Sequence, residues 1–166
     1  MTYMITDMKA LASVPHNSKV YCVGGKCSGC GACCSNFLPV TDREIRRIKK
    51  FILQHGITPR EHGFKAPLKN RTVDMICPFR DDEKKCCTIY EVRPVICAAF
   101  KCDSTPDDVV RFIRKNYPNF NHRRANCINV RLTFFGGDDY EDQVAVSRLM
   151  AARNKALFGS DTGAWS

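Results

Sequence analysis

The chain is 166 residues long, 44% hydrophobic and 26% charged, with a net charge of +9 and a sequence pI near 9.1. That is ordinary for one soluble globular domain with a modest core. No apolar run approaches bilayer length, VICAAF at residues 95–100 being among the longest, which excludes a membrane span.

The opening MTYMITDMKALASVP carries Asp7 and Lys9 and has no apolar h-region, so no secretory signal is expected and the protein reads as cytoplasmic. Eleven cysteines are the unusual feature. In a reducing compartment they point to metal ligands or catalytic thiols before disulfides. Their odd number forbids complete internal pairing, and the neighbours Cys33-Cys34 and Cys86-Cys87 would bridge only with strain. The positive charge suits an acidic partner. It also suits the protein's own chemistry, because thiolate-ligated zinc and iron–sulfur sites are anionic and nearby cations favour the deprotonated sulfur.

Residues 6–12 read as a short helix stopped by Pro15, and KVYCV at 19–23 as a short strand entering Gly24-Gly25. CSGCGACC follows at residues 27–34, four cysteines in eight positions. Its CxxCxxC spacing lets a tight glycine-containing turn aim three thiolates at one point, as the bacterial ferredoxin run begins. Zinc knuckles answer one CxxC with a second. Here Cys77, Cys86, Cys87, Cys97, Cys102 and Cys127 supply no second CxxC, an asymmetry that favours an iron–sulfur cluster over separate zinc sites. Consecutive side chains in extended backbone diverge, so Cys34 serves a second metal, belongs to a polynuclear site, or is core.

TDRE at Thr41 is a capping box that opens a helix with Ile45, Ile48, Phe51 and Ile52 as its apolar stripe and Gly56 as its stop. Arg43, Arg46, Arg47, Lys49 and Lys50 cover its other faces. These are either simply solvated or a docking face for another protein, nucleic acid being less favoured because no aromatic is interleaved for stacking. Residues 57–72, broken by Pro59, Gly63 and Pro67, read as an irregular surface excursion. CPF at 77–79 and CTIYEVRPVICAAFKC at 87–102 come next. Within the latter, Ile89 and Tyr90 would pack and Arg93-Pro94 would turn the chain. Arg93 stands between two cysteines, placed either to donate to thiolates or a supporting carboxylate, or to form an ordinary surface ion pair.

Thr105, Pro106 and two aspartates start a helix ending near Asn116. INVRLTFF at 128–135 reads as a strand turned by Gly136-Gly137. DDYED leads into a last helix at 141–158 with Val144, Leu149 and Ala151 inward. His16, His55, His62 and His122 are not spaced as ligand pairs; His62 and His122 read as surface loop residues, with reach to a metal as the lesser alternative. The fold class expected is α+β: a small, irregular, cysteine-rich metal-binding domain with about three helices and short strands. The whole chain, 1–166, reads as one domain, with a cysteine-cluster core at 19–102 and a C-terminal helix–strand–helix extension at 103–166.

CSGCGACC, CPF and CTIYEVRPVIC in this order resemble the YkgJ-type cysteine-cluster family, the zinc- or iron-chelating CxxCxxCC domain that also contains flagellin N-methylase. PVTDREIRRI is similar to the family's helix after the first cluster. The resemblance implies a small cysteine-ligated metal domain. It implies as ligands Cys27, Cys30, Cys33, Cys34, Cys77, Cys87 and Cys97, with Cys102 as the final one and Cys127 as its alternative. Cys22 and Cys86 stand as extras, although Cys86 is an alternative to Cys87. The methylase members are considerably longer, and no GxGxxG-like loop follows a strand here, so methyl transfer does not carry over. The reading is a binding or structural module holding an iron–sulfur cluster or zinc. The alternative is a redox or methyltransferase-related enzyme component.

Overall fold

The computed structural model describes residues 33–63, 65–68, 71–101 and 103–136. The helix expected at 6–12, the strand at 19–23 and the helix at 141–158 lie outside the described residues. Strand β1, Phe37–Thr41, is buried along its whole length and pairs antiparallel with β6, Ala125–Asn129, Phe37 opposite Asn129 and Thr41 opposite Ala125. Each has one neighbour among the described residues, so a strand side without ladder bonds is available for Pro39, which has no N–H to donate.

Thr41 ends β1 and caps helix α1, Asp42–His55. Its extended backbone turns the chain, and its side chain and that of Glu44 complete the reciprocal box. Ile48 is fully buried, while Ile45, Phe51 and Ile52 pack against the core from its edge. Gly56, at φ 60°, takes the left-handed conformation that ends the helix, and the Ile57 N–H closes on the Ile52 carbonyl at 3.2 Å.

The stretch expected to be irregular instead contains a hairpin, β2 (Lys65–Leu68) against β3 (Arg71–Asp74), with Pro67 opposite Thr72. A two-stranded ribbon needs ladder bonds on only one side of each strand and so tolerates the proline that had argued against it. A second, minimal hairpin joins β4 (Arg80–Asp81) to β5 (Cys86–Cys87), with Lys85 at φ 51° in its turn. A 3-10 turn at Tyr90–Val92 leads to helix α2, Val95–Ala99. Helix α3, Pro106–Asn116, has the expected Thr105 cap and proline start, and buries Val109, Val110 and Ile113.

Residues 128–135 are not one strand. β6 stops at Asn129, whose side-chain oxygen accepts the Leu132 N–H at 3.0 Å and caps helix α4, Val130–Phe135. Val130 and Phe134 then share a face by the helical i, i+4 spacing. Phe134 and Phe135 both lie 5.4 Å from Phe79, centroid to centroid. The architecture is thus α+β, with four α-helices and three two-stranded ribbons among the described residues. Val40, Ile48, Phe79, Ile89, Ile96 and Ile113 belong to a single core, which includes Cys77 and has Cys33, Cys34, Cys87 and Cys97 at its margin. Among the described residues no helix is long and apolar enough to cross a membrane.

Candidate metal centre

Three chain segments bring cysteines together. Residues 33–36 run beside 75–77: the Asn36 N–H donates to Met75 O and the Cys77 N–H to Cys34 O, each at 3.0 Å, with a bridge between Ser35 and Ile76. The chain then folds back, the Arg80 N–H meeting Cys77 O at 2.9 Å, so that Arg80 pairs with Cys87 across the β4–β5 hairpin. The turn at Arg93-Pro94 delivers Cys97 on α2. Cys77 is buried, Cys33, Cys34, Cys87 and Cys97 are half-buried, and Cys86 is exposed. Cys127 lies apart in sequence, on β6 opposite Pro39. Cys22, Cys27, Cys30 and Cys102 lie outside the described residues.

The thiols act on one another. The Cys34 thiol donates a hydrogen bond to the Cys33 sulfur, holding Cys33 down at about 7 against the cost of burial, with Arg80 helping. Cys34 is pushed strongly up by that same bond and by burial, then by the charges of Cys33, Cys77 and Cys97. Burial pushes Cys77 up to about 12, with Cys87 adding to it. Burial likewise raises Cys87, and raises Cys97 further, with Cys77, Cys87 and Cys33 contributing. Cys97 thus lies within electrostatic reach of Cys33, Cys34, Cys77 and Cys87. No three His, Cys, Asp or Glu side chains among the described residues are drawn together as a finished ligand set. The donor chemistry nonetheless fits zinc or iron, being thiols alone whose mutual repulsion as thiolates a cation would offset.

The CxxCxxCC family, described as a "Putative zinc- or iron-chelating domain", matches residues 26–128, more than half of the chain. The protein belongs to the CxxCxxCC family. No curated protein and no solved structure matches the chain.

Around its cysteines this CxxCxxCC domain carries polar supports that spacing alone does not announce. Arg80 is buried, donates through Nε to Asp82 at 3.2 Å, and its charge favours the thiolates of Cys33 and Cys87. Arg93 lies over the Tyr90 ring, 3.9 Å from its centroid, and its charge favours the Cys87 thiolate. Asn36, fully buried, gives its amide N–H to Asp74 O at 3.2 Å and accepts the Arg131 N–H at 2.9 Å. His62 is not a surface residue. It is buried against Asp74 at 2.9 Å through Nδ1 and against the Arg80 carbonyl at 2.9 Å through Nε2. Arg131 joins the same Asp74 carboxylate at 3.2 Å. Asp74 and Arg80 stand on either side of CPF, but nothing local ties them to a histidine 12 residues upstream of Asp74.

Proposed function

We propose that this CxxCxxCC domain is a cysteine-thiolate metal module. Its ligands would come from Cys27, Cys30, Cys33, Cys34, Cys77, Cys87, Cys97 and Cys102, and they hold an iron–sulfur cluster in preference to zinc. The observation that carries the reading is that Cys33, Cys34, Cys77, Cys87 and Cys97 come from separate segments to one margin of the core, with Cys97 in electrostatic reach of the other four. Both members of the Cys33-Cys34 doublet take part in that set, which suits a polynuclear centre better than one tetrahedral ion. The role is a binding or structural module of the cytoplasm, recruited to another protein through the basic face of α1.

Zinc, iron and acid-labile sulfide measured on anaerobically purified full-length protein test this reading. Iron with sulfide and a brown colour is the expected result. Stoichiometric zinc without colour supports the second reading, a closed zinc–thiolate site, which rests on the family's own description. Folded protein that retains no metal would falsify both. Turnover of a methyl donor or an electron acceptor by the protein alone, abolished by Cys27→Ser, would replace the module with an enzyme component.

A further inference from the structure

Glu44 is the third residue of α1 and a normal component of its capping box, yet only half of its carboxylate serves that box. Oε2 accepts from Thr41 N at 2.8 Å and from Thr41 Oγ1 at 2.7 Å. Oε1 turns to a segment 51 residues away and accepts the Val95 N–H at 2.7 Å. Glu44 is 6% exposed, and Val95 is the first residue of α2, whose own N-cap, Pro94, supplies no side-chain bond. An orphan helical N–H is thus capped from another element. The neighbouring Arg47 adds a second tie in the same place, its Nη2 donating to the carbonyls of Val92 and Arg93 at 3.3 Å each.

We propose that Glu44 is a positioning residue for metal binding: by clamping the start of α2 onto α1 it sets where the Cys97 thiol, two residues further on, meets the other cysteines. This rests on the metal-module reading above. The role is geometric, because the Glu44 charge by itself opposes ionisation of Cys97. Groups that orient metal ligands by hydrogen bonding are worth about 10- to 100-fold in affinity, and Glu44 would orient Cys97 through the backbone of its helix.

The test is anaerobic titration of metal-free full-length protein with Co²⁺ against a competing chelator, read as affinity and as sulfur-to-cobalt charge-transfer absorbance. Glu44→Gln keeps the size but can no longer accept at both oxygens. Val95→Pro removes the donated N–H at a first helical position that tolerates proline, and Val95→Ala, which keeps that N–H, is the control for the changed side chain in the core. Glu44→Gln and Val95→Pro are each expected to lower Co²⁺ affinity at least about tenfold and to cut the absorbance to the level of Cys97→Ser. Adding Cys97→Ser to Glu44→Gln is expected to cost nothing more, a coincidence that general loss of stability would not produce. Thr41→Ala, which weakens the box but leaves Oε1 on Val95, is expected to keep the full absorbance. Wild-type affinity and absorbance in both Glu44→Gln and Val95→Pro would overturn the inference, as would losses from Glu44→Gln and Cys97→Ser that add. If circular dichroism shows Glu44→Gln unfolded, Val95→Pro decides alone. A wild-type protein that takes up neither Co²⁺ nor a reconstituted iron–sulfur cluster, whose charge-transfer band would then be the readout, overturns the metal reading and this inference with it, whereas intact binding by the variants overturns the inference only.

Discussion

His62 and Asp74 show how much of this molecule rests on single buried contacts. Removing the imidazole would leave the Asp74 carboxylate short of one partner and the Arg80 carbonyl without its ring donor, both in the interior. His62→Ala should therefore cost about 3 kcal/mol in urea unfolding; a loss below about 1 kcal/mol would show that water replaces the ring. The cysteines make a pH prediction whose sign depends on the residue. Cys33 is lowered from 9.0 to about 7, so its contribution to stability is full above 9 and is lost as pH falls through about 7. Cys77 is raised from 9.0 to about 12, so its contribution is full below 9 and is lost as pH rises through about 12. Metal-stripped protein should thus be most stable near pH 9, with melting temperature falling on either side. Metal uptake near neutral pH should release protons from the raised thiols. A melting temperature that keeps climbing from pH 9 to 11 would contradict the burial of Cys77 and Cys97.

At the scale of elements, the two capping boxes are chemically alike and differently placed. Thr41 and Glu44 are both buried, whereas Thr105 and Asp108 are exposed. Thr41→Ala should cost about 2 kcal/mol and Thr105→Ala about 1 kcal/mol, measured by denaturant unfolding of the same preparation. Equal losses would mean that burial adds nothing to the cap. Helices α1 and α3 were readable from sequence because cap, stripe and stop are local and agree with one another. α4 was not, because INVRL offers too few residues to separate a period of two from one of 3.6. The decision fell to tertiary contacts: the Asn129 side chain caps the turn, and Phe79 receives both Phe134 and Phe135. The β2–β3 ribbon was missed because Pro67 was weighed as a breaker, and only its pairing partner on β3 shows the position to be tolerable.

At the scale of the whole molecule, the net charge of +9 is unevenly used. Arg43, Arg46, Lys49 and Lys50 are exposed on α1, and among the described residues none has a carboxylate partner. Labelled poly-glutamate should bind the full-length protein and weaken steeply with salt, and reversing Arg43, Arg46 and Lys50 to Glu should abolish binding without changing metal content. Tighter binding of an oligonucleotide of equal charge would count against a protein partner. The sequence by itself determined membership of the zinc- or iron-chelating CxxCxxCC family, because cysteine spacing is a property of the chain and needs no fold to be read. It also determined the ends of α1 and α3, since their caps act within four residues. Which thiols share one margin of the core, which histidine is buried, and that Glu44 reaches Val95 across 51 residues were decided only by the tertiary structure. These are contacts between distant segments, and their free energy comes from desolvating and pairing groups that no local pattern places together.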